Sequence, residues 1–385
     1  MSGRLSDRRL SASTGLSGYN RIMLQTPLHD WHVAHGGRMV DFAGWAMPVQ
    51  YSTIIDEHLA VRNAAGLFDI SHMGRLRLTG PDAERFAERL VTCRVGTLKM
   101  GQIRYGLVTT SSGGILDDVL VYRLGESEYG IVVNASNREK ITDWIGKQRS
   151  DAEVALRDET FETGMIAMQG PATAELLAPH IDIQLSDLRF YRCVNATVLD
   201  LPVLVSRTGY TGEDGFEFIL PAERTTTLWE RLLTLGGGGG VVPCGLGCRD
   251  TLRLEAGMPL YGHELSEEID PIKAGLSFAV ALDKDFIGRD AIAQIAERGP
   301  EQTRVGLRLA GKRIAREGTP LFSGNEQIGV VTSGTFSPTL QASIAMGRVP
   351  PEFAETGTRL EADLRGKREP ATVVELPFYR RQPVR

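Results

Sequence analysis

Apolar and polar positions along this chain fall into blocks short enough to name individual elements. Over residues 81–91, Phe86 and Leu90 share one face of a helical repeat and Pro81 stands at its start, which predicts a short helix. Residues 104–110 read as a strand, Ser111-Ser112-Gly113-Gly114 as a turn and residues 115–124 as a second strand, so the three predict a hairpin. Residues 129–134 read as a third strand. Ser136 and Glu139 have the spacing of a capping box opening a helix through Lys147. Together these predict one compact α+β unit. Residues 164–168, 201–207 and 215–220 read as further strands, the last two flanking the loop 209–214. A helix over 226–235 carries Leu228, Trp229, Leu232 and Leu233 and stops at the run Gly236 to Gly240, which no helix survives and which reads as a mobile loop. After about residue 275 the texture changes to short strands with turns between them, at 303–309, 327–333, 342–349, 359–364 and 371–375. That spacing predicts a small β-barrel-like domain.

Length and composition then bound the picture. A chain of 385 residues is long for one core and predicts two or three domains. Its hydrophobic content of 42% and charged content of 24% are those of a globular protein, and a net charge of −5 offers no basic field for nucleic acid. No apolar run reaches the length that crosses a bilayer, so no membrane role is expected. Four cysteines, Cys93, Cys193, Cys244 and Cys248, are sparse enough for a reducing compartment. Cys244 and Cys248 have no second pair to complete a zinc site and read as small core residues near a Gly-rich turn. Residues 1–22 are Ser- and Arg-rich with one acid, Asp7, and read as a disordered extension rather than a transit peptide.

The chemistry-bearing positions stand out against this frame. Asp117 and Asp118 interrupt an apolar strand, where acids are poor residues. Side chains alternate faces, so the two point opposite ways, and either both lie at a wet strand end or one faces a pocket. If the turn centres near Ser112-Gly113, Tyr105 pairs with Leu120 and lies diagonal to Asp118 on the same face. An aromatic plate beside a carboxylate suits a planar, N–H-rich heterocycle such as a pterin. Glu217, between Phe216 and Phe218, is expected inward, either as a bidentate acceptor for ring N–H groups or in a structural salt bridge. Arg249 opens a helix and is either a carboxylate fork or a partner in surface pairs along that helix. Arg380, Arg381 and Arg385 make a small basic tail that by itself reads as a frayed end, and His72 reads as structural. There is no Walker-type loop and no G-x-G-x-x-G after a strand, which weighs against a flavin or nicotinamide oxidoreductase.

Eight segments in order carry a resemblance. They are Gly36 to Trp45 (GGRMVDFAGW), Pro48 to Tyr51 (PVQY), Gly66 to Met73 (GLFDISHM), Gly113 to Asp118 (GGILDD), Gln169-Gly170-Pro171, Gly209 to Gly215 (GYTGEDG), Arg249 to Gly257 (RDTLRLEAG) and Thr332 to Leu340 (TSGTFSPTL). Together they closely resemble the glycine cleavage T-protein family from about Leu24 to about Phe378. The resemblance implies an α+β fold of three domains around a central folate cavity, two of them α+β and the C-terminal one β-barrel-like. The first domain is discontinuous, 23–73 with 160–248; the second is inserted at 74–159; the third is 249–385. The implied activity is that of a tetrahydrofolate-dependent aminomethyltransferase. It moves the one-carbon unit from the aminomethyl group on a lipoylated H-protein to tetrahydrofolate, in the cytoplasm, or in the mitochondrial matrix if the source is eukaryotic. Neither metal nor flavin is implied. Residue by residue, Asp118 matches the family's key acid, Glu217 its pterin-edge acid, Tyr105 and Tyr210 its aromatic walls and Arg249 its folate-contacting arginine. Arg380 sits where many members carry a basic residue facing the glutamate tail, with Arg381 beside it. A non-catalytic folate-binding maturation protein of the same fold is the alternative, and its K-G-C-Y motif is absent here. The folate domain of a sarcosine or dimethylglycine oxidase would need an N-terminal flavin domain, for which this sequence has no room.

Overall fold

The computed structural model describes residues 23–237 and 240–381; the extension at 1–22, the centre of the glycine run and Arg385 lie outside the described residues. Three β-sheets organise the chain. The first has six strands in the order Cys193–Val198, Leu201–Ser206, Gly215–Pro221, Thr163–Gln169, Ala65–Asp69 and Val241–Cys244. Neighbours pair antiparallel except the last two, which are parallel. Helix Thr225–Leu233 lays Leu228, Trp229 and Leu232 on this sheet, against Ile166, Met168, Phe216 and Phe218. Each such side chain contributes about 1.5–3 kcal/mol on burial.

The second sheet has five strands, Ile103–Thr109, Ile115–Gly125, Glu128–Val133, Gly74–Thr79 and Ala155–Asp158, all from the stretch between two neighbouring strands of the first sheet. Helix Ala83–Leu90 covers it with Ala83, Phe86, Ala87 and Leu90, an i, i+3, i+4, i+7 set. The capping box expected at Ser136 and Glu139 does not form. Residues Ala135–Asn137 make a 3₁₀ turn, the helix begins at Arg138, and its N-cap Asn137 makes no capping bond. The Asn137 amide donates to Asp117 Oδ1 at 2.6 Å, a buried carboxylate being a stronger acceptor than a cap oxygen.

The third sheet is a closed six-stranded barrel within residues 303–374, as the strand spacing predicted. In its strand Thr303–Leu309, Val305, Leu307 and Leu309 fill the barrel while Arg304 and Arg308 alternate outward. The stretch before the barrel packs elsewhere. Leu265, Ile269 and Leu276 cover Leu107 and Ile115 of the second sheet, and Thr92 donates to the Ala279 carbonyl at 2.8 Å.

A buried ionic knot ties these parts together. Helix Ile54–Asn63 begins at Thr53, whose side chain accepts from the Asp56 amide, and it presents His58 and Arg62 one turn apart. Arg62 reaches Glu255 on helix Leu246–Glu255 at 2.8 Å, Glu213 at 2.9 Å and the Thr211 carbonyl at 2.8 Å. Glu255 also takes His58 at 3.2 Å, the Thr339 hydroxyl at 2.9 Å and the Ser337 hydroxyl. The Tyr379 ring lies 4.0 Å under the Arg62 guanidinium, and its amide donates to the Glu255 carbonyl.

Burial alone would raise the Glu255 carboxyl, but the His58 hydrogen bond and the His58 and Arg62 charges outweigh it and hold it at about 2. Asp69 behaves alike: burial opposes ionisation, while His32, Ser71 and Thr26 pull it to about 2. A carboxyl depressed on folding adds stability above its unfolded pKa and loses it as pH falls through the folded value. Stability is therefore expected to drop as pH is lowered from about 4 to about 2 in equilibrium denaturation. Glu255→Gln, which leaves the Arg62 charge buried with half its partners, is expected to cost about 3–5 kcal/mol at neutral pH and to flatten that acid limb.

Candidate functional site

The hairpin of the second sheet brings the first site residues together. Tyr105 pairs with Leu120 and Leu107 with Asp118, so Tyr105 lies diagonal to Asp118 and its hydroxyl donates to Asp118 Oδ2 at 3.1 Å. The two neighbouring acids do face opposite ways, yet neither is at a wet strand end. Asp117 is fully buried and accepts from the Asn134 amide at 2.9 Å, from Asn134 Nδ2 at 2.8 Å and from Asn137 Nδ2 at 2.6 Å. Asn134 Nδ2 also donates to Asp118 Oδ1 at 2.7 Å. One side-chain amide thus clamps both carboxylates, and only Asp118 looks into the central cavity. Burial pushes both carboxyls above the ordinary range; the Asp118 charge pushes Asp117 further, against the pull of the asparagine N–H groups.

The cavity holds about 1020 Å³ and takes walls from all three sheets' surroundings. Glu217 lies on the edge contributed by strand Gly215–Pro221 and is buried. The Thr208 hydroxyl donates to it, and Thr208 and Arg249 hold down a pKa that burial raises. Arg249 comes from the first turns of helix Leu246–Glu255 and lies 4.8 Å over the Tyr210 ring. Its Nη1 is buried with no hydrogen-bond partner, and burial lowers its pKa. Of the two readings of Arg249, the pairing along its own helix is the one that does not occur. Arg253, one turn on, takes that structural part, bonding Asp250 at 2.8 Å, Glu264 at 2.9 Å and Ser333 at 2.8 Å. Tyr210 donates to the Pro259 carbonyl, fixing its ring as a wall. The loop carrying it needs Gly209, because a Cβ there would stand 1.9 Å from Gln169 Oε1, the atom that takes the Thr211 hydroxyl.

The C-terminal arginine moves by one residue. Arg380 is exposed and bonds Glu375 at 2.6 Å, away from the cavity. Arg381 lines the cavity, 3.4 Å from Asp214 and 4.8 Å over the Phe190 ring. Motif spacing also missed Asn134 and His72. Asn134 follows a strand, a position where Asn is ordinary, and nothing local marks it. His72 is 2% exposed, faces Phe42 edge-on at 5.5 Å and lines the cavity with Nδ1 unpartnered; burial lowers it to about 3, so it is neutral. Cys244 and Cys248 lie buried beside Glu57. That carboxylate already accepts the amides of Tyr51 at 2.6 Å, Ser52 at 2.9 Å and Gly245 at 2.8 Å, which is the work of a loop latch. No described helix is long and apolar enough to cross a membrane.

The family model described as "GCVT N-terminal domain" matches residues 28–284, and the one described as "Glycine cleavage T-protein C-terminal barrel domain" matches residues 302–380. The chain belongs to the glycine cleavage T-protein family. A T-protein-family relative from Symbiobacterium thermophilum, named aminomethyltransferase, is 47% identical over 369 residues, covering 94% of this chain and 98% of that one. An aminomethyltransferase from Rubrobacter xylanophilus is 49% identical over 360 residues, covering 93% of this chain and 95% of that one. The crystal structure of glycine cleavage system aminomethyltransferase T from Bartonella henselae superposes with a TM-score of 0.87 at 36% identity, covering 93% of this chain and 98% of that one. In this T-protein-family cavity, Asn134→Ala leaves the neighbouring Asp117 and Asp118 carboxylates without their shared donor. It is expected to lower unfolding free energy by about 1–3 kcal/mol in denaturant titrations at pH 7, with a smaller loss at pH 5, where a carboxyl with a raised pKa can take up a proton.

Proposed function

We propose that the chain is a tetrahydrofolate-dependent aminomethyltransferase of the glycine cleavage system. Its substrates are the aminomethyl group carried on the lipoyl sulfur of H-protein and tetrahydrofolate; its products are 5,10-methylenetetrahydrofolate, ammonia and dihydrolipoyl H-protein. The carbon stays at one oxidation level, so the reaction itself needs no flavin. Two folate N–H protons are displaced, one ending on the lipoyl sulfur and one on the departing amine. On this reading the chain works in the cytoplasm or mitochondrial matrix, and its three domains are 23–73 with 160–248, 74–159 and 249–385.

The observation that carries the reading is Asp118, held by Tyr105 and Asn134 and aimed into a cavity that also presents Glu217 and the unpartnered Arg249. A pterin fits those groups. Glu217 accepts from the ring N–H and amino groups, and Arg249 Nη1 gives a ring acceptor the hydrogen bond it lacks in the protein. Tyr105 and Tyr210 bound the aromatic faces. Arg381, rather than Arg380, is the tail residue positioned to meet a folate carboxylate. Asp118 orients the folate at its reacting nitrogens and relays the proton there, and much of the acceleration comes from holding two substrates in one geometry.

Formation of methylenetetrahydrofolate from aminomethyl-loaded H-protein is expected to require the chain and tetrahydrofolate together. Tight folate binding with no turnover, beside an active control enzyme, would move the assignment to the non-catalytic folate-binding protein. Asp118→Asn keeps the side-chain shape and is expected to cut kcat at least a hundredfold with folate affinity nearly intact. Full turnover in that variant would overturn the role given to Asp118. Because burial raises the Asp118 carboxyl, and the relay needs it ionised, turnover is expected to fall on the acid side at a pH above the ordinary carboxylate range.

A further inference from the structure

The two acids of strand Ile115–Gly125 are bound by different kinds of partner. Asp117 is fully buried, and every group bonded to it is an amide N–H: the Asn134 backbone at 2.9 Å, Asn134 Nδ2 at 2.8 Å and Asn137 Nδ2 at 2.6 Å. Asp118 is bonded by Asn134 Nδ2 at 2.7 Å and by the Tyr105 hydroxyl at 3.1 Å. An amide N–H only donates, so a proton arriving on Asp117 would stand against donors. A phenol hydroxyl donates or accepts, so Tyr105 can turn its oxygen to a proton arriving on Asp118. The ladder slips at this point: Val108 pairs with Asp117 but Thr109 with Ile115, which leaves Leu116 over as a bulge. Bulges add twist and re-aim side chains, and here carboxylates from opposite faces of one strand meet the same amide nitrogen.

Two carboxylates this close in a dry interior raise each other, and the first proton goes to the one whose partners can receive it. No cation bonds either carboxylate among the described residues. The titratable groups that face the pair are Tyr105 and Tyr210 beside Asp118 and Tyr261 beside Asp117, each raised by burial and neutral. Lys140 is taken up by Tyr261 at 2.7 Å and Glu267 at 3.0 Å, and Arg304 acts from the barrel on Tyr105 and Tyr210. Asp117 is therefore the standing anion, and Asp118 titrates against it.

We propose that Asp117 is a positioning residue for the transfer: a buried anion that, coupled to Asp118 through the Asn134 amide, sets how readily Asp118 takes up and releases the proton of the reaction. The inference rests on the role given to Asp118 above. A lone aspartate holds its proton only near about pH 4. The neighbouring charge brings proton exchange at Asp118 closer to neutral pH, where an acid–base group is most effective.

The test is the pH profile of kcat/KM for tetrahydrofolate, with saturating loaded H-protein, in the unmodified chain, Asp117→Asn and Asn137→Ala, each variant first checked for a cooperative thermal transition. Asp117→Asn keeps the shape and removes the anion, so the Asp118 carboxyl becomes more acidic and the acid limb is expected to move down by about one to two pH units. Asn137 does not line the cavity. Asn137→Ala takes one donor from Asp117, lets that carboxyl share the proton and is expected to move the limb down by about half a unit. If Asp117→Asn does not fold, Asn137→Ala decides alone. A uniform loss of activity with the limb in place, or a limb that moves up, overturns the inference and leaves the transferase reading standing. No turnover by the unmodified chain at any pH would sink that reading, and the inference with it.

Discussion

The Arg62–Glu255 ion pair is the constraint on which the rest of the arrangement depends. It is buried, it lies between two helices, and each partner is bound further by groups from other parts of the chain. Glu213 and Thr211 come from the loop that carries Tyr210, Ser337 and Thr339 from the barrel, and Tyr379 from the C-terminal stretch that carries Arg381. Charges taken out of water are tolerated only when every oxygen and N–H is met, and here the groups that meet lie 82 to 193 residues apart in sequence. The knot therefore fixes where the Tyr210 loop, the barrel and the C-terminus stand relative to helix Leu246–Glu255, and so where Arg249 points.

The contrast between the knot and the cavity is itself informative. At Glu255 the carboxylate is fully answered by protein donors and its pKa falls. At Asp118 and Glu217 burial wins over the available donors and the pKa rises, and Arg249 keeps an N–H with nothing to bond. The same residue types are satisfied in one place and left short in another, and the shortfall collects along one cavity. A polar group left short inside a protein costs stability, and the proposed folate is what would complete it. The Asn134 clamp makes this sharper. It supplies enough hydrogen bonding to keep Asp117 and Asp118 side by side, yet leaves one face of Asp118 open to the cavity.

Much of the local structure was legible because it obeys short-range rules. The hairpin from Ile103 to Gly125, its register and the diagonal contact between Tyr105 and Asp118 follow from turn chemistry and strand alternation alone. The barrel strands were visible through the same alternation, Val305, Leu307 and Leu309 inward against Arg304 and Arg308 outward. The expectations that failed were those in which a nearby partner in sequence lost to a distant one in space. Ser136 and Glu139 form no capping box because Asn137 is drawn to Asp117, and of the two readings left open for Arg249 the surface pair gives way because the side chain lines the cavity. Arg380 and Arg381 differ in which way the C-terminal stretch turns them, Arg380 to Glu375 and Arg381 to the cavity, which composition cannot express.

The sequence by itself determined the family and many of the elements, and it named candidate side chains that line the cavity, since periodicity and ordered motifs are written locally along the chain. Only the tertiary structure decided which of two adjacent aspartates is the buried anchor and which faces the cavity, which C-terminal arginine enters it, and that Asn134, His72 and Arg304 line it. Those outcomes depend on how three sheets pack and on which donors are left without partners once they have. Burial and hydrogen-bond satisfaction are properties of the assembled interior, and no stretch of sequence carries them alone.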